Sequence, residues 1–188
     1  FPKFNKPVYE STDLINCHSH LTYEMVSKEY PAKTNFVPHA LPENIFYPMP
    51  ENDIKAHKQR ILGTNHESDF VLFWVNRNAR RKRPNDVLLA WKKFQDRVVK
   101  EGGDISNNRL LMHTDPLDQE GPNLFETCAN LDIVNTVVFS NQRVEFEQMN
   151  VLHNISDACI NISYAEGFGL TTLESMQVGN PIIATKIE

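Results

Sequence analysis

The run Phe70-Val71-Leu72-Phe73-Trp74-Val75 constrains the fold more than any other stretch of this chain. Six apolar residues without polar alternation do not suit a strand with one face in water. They suit a strand covered on both faces, as in a parallel sheet flanked by helices. The residues beyond the run agree with such a strand. Pro84 fits the first position of a helix, and Val87, Trp91, Phe94 and Val98 recur at helical spacing, predicting one apolar stripe that ends near Gly102-Gly103.

The alternation then repeats. Strands are predicted over 109–113, 136–140, 158–163 and 182–185, with helices over 123–131, 145–155 and from the glycines at 167 and 169 to about 178. Five strands alternating with four helices predict an α/β domain built on a doubly wound parallel sheet. Upstream, residues 12–16 read as a short strand, residues up to 28 as weakly helical, and residues 35–37 as a second short strand. Pro38, Pro42 and Pro48 then mark a connector, and a polar helix over 52–62 leads to the turn Gly63-Thr64-Asn65.

With 188 residues and 40% apolar content, the chain can bury a core and does not resemble a disordered segment. A net charge of −5 excludes attraction of the whole surface to nucleic acid or anionic lipid, so any anion site must be local. Cys17, Cys128 and Cys159 are odd in number and far apart, which suggests neither a disulfide framework nor a zinc site; a cytoplasmic, reducing compartment fits best. No apolar run is long enough to cross a membrane as a helix. The opening Phe1-Pro2-Lys3-Phe4 and the end after the last predicted strand read as those of an internal piece, truncated at both ends.

In the common doubly wound order 3-2-1-4-5, ligands bind at the carboxyl ends of the first and fourth strands, where the chain reverses direction. The loop after the first strand, Asn76-Arg77-Asn78-Ala79-Arg80-Arg81-Lys82-Arg83, is the most basic segment of an acidic chain. The loop after the fourth, Tyr164-Ala165-Glu166-Gly167-Phe168-Gly169, carries a Gly-x-Gly between strand and helix. Gly167 and Gly169 let backbone amides approach a ligand, and the helix after them presents free N–H groups and a positive dipole end, which suits a diphosphate. Arg77 and Lys82 are placed to close the other side, where fixed cations would stabilise charge developing on a departing diphosphate. Thr171 and Glu174, three residues apart, share a helix face. Thr171 is then near the phosphates, and Glu174 can accept hydrogen bonds from ribose hydroxyls. Glu166, before the glycines, is placed to meet a sugar. No Asp-x-Asp pair is present, so basic side chains and the helix terminus would do the work of a metal, and no metal ligands are assigned.

The string Glu166-Gly167-Phe168-Gly169-Leu170-Thr171-Thr172-Leu173-Glu174, followed by Gly179-Asn180-Pro181-Ile182-Ile183-Ala184-Thr185, resembles the Glu-x7-Glu signature of retaining GT-B glycosyltransferases of the group 1 family, family four. Arg77 and Lys82 resemble that family's pyrophosphate-binding pair. Val37-Pro38-His39 and Phe46-Tyr47-Pro48 resemble its interdomain connector. The resemblance covers nearly the whole chain and implies the Rossmann-like, C-terminal half of a GT-B fold. Residues 1–37 would be the tail of an acceptor domain, 38–65 the connector and first helix, and 66–188 an incomplete nucleotide-sugar domain. It further implies Glu166, Arg77 and Lys82 as catalytic residues, and Gly167, Phe168, Gly169, Leu170, Thr171 and Glu174 as donor-binding residues. The donor would be a UDP-, GDP- or ADP-linked sugar, passed with retention of configuration to a glycan, lipid or small molecule, with no cofactor and with room for peripheral membrane contact through the missing domain. Asn76 and Arg83 depart from the pattern, standing where glycine is common before the Arg and after the Lys.

Blander readings stand beside these. The Gly-x-Gly could be a structural turn into a helix. Residues 77–83 could be a solvated face, a localisation signal or a nucleic-acid patch, with Arg80, Arg81 and Arg83 solvated or paired even if Arg77 and Lys82 bind phosphate. A module that binds a sugar nucleotide without transfer is a further alternative. His18-Ser19-His20 lacks a third ligand for a metal. His113 and Thr114 end the second strand on the ligand side, with a structural role at least as plausible. Asn141, Gln142 and Arg143 are weak candidates to approach a nucleobase. The sequons at Asn154 and Asn161 read as chance matches.

Overall fold

The computed structural model describes residues 2–186 and divides into two compact units, residues 1–40 with Glu166–Leu170 and Leu41–Ala165 with Thr171–Glu188.

In the first unit, α1 (Pro2–Ser11) leads to β1 (Ile15–Cys17), α2 (His20–Glu29) and β2 (Thr34–Phe36), and β1 pairs β2 in parallel. Ser19 caps α2 by accepting from the Thr22 amide at 3.2 Å. The helix α1 is unexpected, because Pro7 inside it removes a backbone donor. Its C-terminal end is held from a distance in sequence. The Lys33 ammonium donates to the Tyr9 carbonyl and, at 2.8 Å, to the Thr12 carbonyl, and Tyr9 packs edge-on against Tyr30 with ring centroids 5.6 Å apart. A cation on the last carbonyls of a helix satisfies orphan acceptors and complements the dipole.

The second unit begins with α3 (Glu51–Leu62). It continues through β3 (Phe70–Val75), α4 (Pro84–Lys100), β4 (Asn108–His113), α5 (Leu124–Asn130), β5 (Val137–Ser140), α6 (Phe146–Asn154), β6 (Ala158–Asn161), α7 (Leu170–Gln177) and β7 (Ile182–Ala184). The five strands form one parallel sheet in the order β5-β4-β3-β6-β7, the doubly wound order expected, with the reversal between β3 and β6. Alternate residues of β3 explain its apolar run. Leu72 and Trp74 pack with Val87, Leu88 and Trp91 of α4, whereas Val71, Phe73 and Val75 pack with Leu152 and Ile155 and with Ile54 and Ile61 of α3. Both faces are covered, so polar alternation would have buried unsatisfied groups.

Two local expectations are corrected. The buried face of α4 runs through Pro84, Val87, Leu88, Trp91 and Gln95, while Phe94 is 39% exposed and leans on Trp91 and Phe70. The stripe predicted Phe94 on the inner face, but its neighbour Gln95 takes that place: residues 84, 87, 88, 91 and 95 lie at i, i+3, i+4, i+7 and i+11 of one helix face. The strand β6 ends at Asn161 rather than 163, since the Asn161 side chain accepts from the Ser163 hydroxyl at 2.8 Å and bends the chain out of the ladder.

A ladder of side-chain amides that the sequence did not reveal fastens the connector to α6. The Tyr47 amide donates to Asn150 Oδ1 at 3.2 Å and the Met49 amide to Asn154 Oδ1 at 2.8 Å. Asn154 Nδ2 returns a bond to the Tyr47 carbonyl at 3.0 Å. Asn154 and Asn161 are both buried and engaged, which leaves neither sequon open to modification.

Candidate functional site

The loop after β3 is shaped by tight local bonds. Its 3-10 turn, Arg80–Lys82, is closed by the Lys82 amide on the Ala79 carbonyl at 2.8 Å and ends at Arg83, which adopts the left-handed conformation with φ 58° and ψ 43°. That conformation explains why glycine suits the position after the lysine: a side chain there is strained. Pro84 then opens α4 at its first turn, as expected.

A second loop, 115–122, docks onto the first. Asn78 is fully buried and donates from Nδ2 to the Pro116 carbonyl at 3.3 Å and the Pro122 carbonyl at 2.9 Å. A Cβ at Gly121 would lie 2.1 Å from Asn78 Oδ1, so only glycine permits the approach. This docking brings Asp118 and Glu120 to Arg77. Its guanidinium donates to Asp118 at 2.7 and 3.2 Å and meets Glu120 at 3.0 Å. The Arg77 bond, followed by the Glu120 amide, holds the Asp118 carboxyl below the usual carboxylate range, and the same pairing raises Arg77 further.

Arg77, Lys82 and Thr171 line one cavity of about 460 Å³ together with Asn76, His113, Thr114 and Asp118. Lys82 is buried, whereas Arg77 is 58% exposed in its side chain. Two polar atoms on residues lining this cavity, Asn76 Nδ2 and Thr114 Oγ1, are buried without a protein partner. Unpaired buried polar groups are costly and uncommon. His113 bonds Ser140 Oγ through Nδ1 at 2.9 Å, and burial, then repulsion from His153, depresses its pKa. Gln142 and Arg143 line a separate cavity of about 530 Å³ with Ser140 and Gln148.

The loops after β3 and β6 are tied across the reversal of strand order. The Tyr164 amide donates to the Arg81 carbonyl at 2.7 Å, and the Arg81 guanidinium donates to the Ala165 carbonyl at 3.2 Å. Arg81 is thus engaged, and Arg83 pairs with Asp86 at 2.7 Å. The basic run therefore does not form a free cationic stripe. Asn161 extends the tie by donating to Thr172 Oγ1 at 3.0 Å, which anchors the start of α7 to the end of β6.

Glu166, Gly167, Phe168, Gly169 and Leu170 belong to the first unit. Phe168 meets the His39 ring edge-on at 4.9 Å, and His39 stacks on His18 at 4.2 Å, whose Nδ1 donates to the Val37 carbonyl at 2.7 Å. Gly169 has φ 87°, a conformation that demands glycine, while a Cβ on Gly167 would meet nothing within 4 Å. The protein itself does not require glycine at 167.

Glu174 lies on α7 with 12% of its side chain exposed, and its Oε2 accepts from His153 Nε2 at 3.1 Å. His153 and Ser175, both fully buried, were not singled out from the sequence. Their signal was available only as polar residues at helix positions that the sheet covers. Burial raises the thiol pKa of all three cysteines, that of Cys128 to about 11, so none is an activated nucleophile. Among the described residues, no three His, Cys, Asp or Glu side chains converge as a metal site, and no helix is long and apolar enough to cross a membrane.

The family model described as glycosyl transferases group 1 matches residues 55–188. The chain belongs to the group 1 glycosyltransferases. It is 26% identical over 184 residues to N-acetyl-alpha-D-glucosaminyl L-malate synthase of Bacillus anthracis, a match that covers 95% of this chain and 42% of that protein. The structure matches the GT-B, Rossmann-like glycosyltransferase fold. Sucrose-phosphate synthase from Thermosynechococcus elongatus superposes with a TM-score of 0.72 at 23% identity, over 97% of this chain and 43% of that one. HepE of Anabaena, solved in complex with UDP and glucose, does so with 0.71 at 18% identity, over 92% and 44%. The group 1 chain described here thus spans less than half the length of these relatives.

Proposed function

We propose that this group 1 chain is the donor-binding part of a retaining, metal-independent glycosyltransferase that uses a nucleoside-diphosphate sugar. The observation that carries the reading is the cavity shared by Arg77, Lys82 and Thr171, with two buried polar atoms unpaired on its lining residues. Its lining comes from the carboxyl ends of β3 and β4 and from Thr171 of α7, on the edge of the sheet where doubly wound folds take ligands. Arg77 and Lys82 would neutralise the diphosphate, and stabilise it most as the glycosidic bond breaks and charge accumulates on the leaving oxygens. Arg77 must exchange Asp118 and Glu120 for phosphate, so binding replaces one charged partner by another and does not create an ion pair from nothing.

Glu174 would accept from ribose hydroxyls. Glu166 is assigned to the sugar, and Gly167, Phe168, Gly169 and Leu170 to the nucleotide, by the family resemblance. The complex of HepE with UDP and glucose supports a UDP-linked donor as the first to test, with GDP- and ADP-linked sugars next. Residues 1–37 are proposed as the tail of an acceptor domain, 38–65 as the connector and 66–188 as the donor domain. The acceptor, whether glycan, lipid or small molecule, and any peripheral membrane contact fall to the rest of the protein. A cytoplasmic setting is proposed from the three unpaired, buried cysteines.

Calorimetric titration with UDP, GDP and ADP tests the proposal. At least one should bind, with R77A and K82A each weakening it by about tenfold, as expected for loss of a charge-assisted phosphate contact, and EDTA leaving affinity unchanged. No binding of any of the three at millimolar concentration would overturn it.

A further inference from the structure

We propose that His153 is a positioning residue, holding the Glu174 carboxylate in the orientation that a ligand's paired ribose hydroxyls require. The inference rests on the reading that Glu174 meets the ribose.

The imidazole is gripped on both nitrogens by neighbouring residues of one helix. Ser175 Oγ lies 2.7 Å from Nδ1, and Glu174 Oε2 lies 3.1 Å from Nε2. A carboxylate can only accept, so Nε2 carries the proton in this bond, and in the neutral ring Nδ1 then accepts from the serine hydroxyl. Nε2–H is therefore directed at Glu174, and Ser175 holds the opposite nitrogen. The ring cannot turn away. Phe73 and Phe46 meet it edge-on at 5.1 and 5.9 Å, and the ring is fully buried.

Consecutive side chains leave a helix about 100° apart. A single ring bonded to both Glu174 and Ser175 therefore fixes the rotation of α7 about its own axis. Asn180 adds a further restraint just past that helix, donating to the His153 carbonyl at 2.7 Å. Ser175 is fully buried, whereas 12% of the Glu174 side chain is exposed, so the clamp is solid on the inner side and opens at the carboxylate. With Oε2 committed to His153, the second oxygen is the one a hydroxyl would meet. A buried histidine needing only satisfaction could use any carbonyl or hydroxyl. Spending its proton on a partly exposed carboxylate stiffens a group whose geometry matters to a ligand.

The test compares binding of a nucleoside diphosphate, whichever of UDP, GDP and ADP binds tightest, with its 2′,3′-dideoxy form, in the full-length protein. The native protein should prefer the ribose form by about tenfold, the range for hydrogen bonds to a charged acceptor. In H153F, which keeps an aromatic ring but cannot donate, that preference should fall below about threefold, and H153Q, whose amide can still donate, should retain more of it. E174Q should lose it as well. A protein in which E174Q loses the preference and H153F keeps it has a merely structural His153, which overturns the inference alone. A protein in which E174Q keeps the preference overturns the ribose reading, and the inference with it. If H153F does not fold, S175A takes its place: it removes only the anchor on Nδ1, an intermediate preference is expected, and a native one overturns the proposal.

Discussion

Replacing Asn154 by alanine tests whether side-chain amides hold the connector to the sheet domain. Asn154 accepts from the Met49 amide at 2.8 Å, and its Nδ2 donates to the Tyr47 carbonyl at 3.0 Å and to the Asn150 carbonyl and Oδ1 at 2.8 and 2.9 Å. The amide has two protons, so the two Asn150 contacts share one of them, and three bonds are lost. At about 1 kcal/mol net for each, the loss is about 3 kcal/mol. Tyr47 is exposed and Met49 partly so, and water can therefore reach the abandoned backbone groups, which brings the figure to about 2–3 kcal/mol without a further penalty for burial. The buried Trp74 and Trp91 report on unfolding of the same unit. Followed by tryptophan fluorescence, the urea midpoint of N154A should fall by about 1–1.5 M, for a slope near 2 kcal/mol per molar. A drop below about 0.3 M would show that the ladder is replaced by water at no cost, and the reasoning would fail.

The strained Arg83 offers a comparison of two variants. R83A loses the exposed pair with Asp86 and keeps the left-handed strain, while R83G loses the pair and relieves the strain. R83G should be the more stable by about 1 kcal/mol, the steric cost of the conformation less the flexibility of glycine, and equal midpoints in denaturant would refute the assignment. His113 supplies a pH dependence. Burial, then repulsion from His153, puts its folded pKa below the ordinary value of 6.5, so the unfolded chain takes up the proton first. Stability from this group is fully present above pH 6.5 and is lost as the pH falls through the depressed folded pKa. The melting temperature should therefore drop below pH 6.5 in the native protein and less in H113N; parallel curves would assign the effect elsewhere.

Much of the architecture was legible without coordinates because local patterns and tertiary needs agree. An unbroken apolar run from 70 to 75 requires cover on both faces, and helical spacing after Pro84 requires a helix. The common doubly wound order, which the sheet adopts, sends residues 76–83 and the loop after β6 to the carboxyl ends of adjacent strands. Patterns of this kind are short-range, so they survive without knowledge of the rest of the chain. The helix α1 was not legible for the same reason. Pro7 argues against it locally, and Lys33, more than twenty residues away, supports it.

The site divides along that line. Residue types and spacing alone named Arg77, Lys82, Thr171 and Glu174. Only the tertiary structure put Asp118 and Glu120 on Arg77, made Asn78 and Gly121 partners, and placed His153 between Glu174 and Ser175. These contacts join residues separated by about twenty to forty positions and carry no periodic signal. The sequence nominated the groups proposed to meet a ligand; the packing of loops and helices decided which of them are restrained, paired or strained, because those properties depend on neighbours that chain order does not announce.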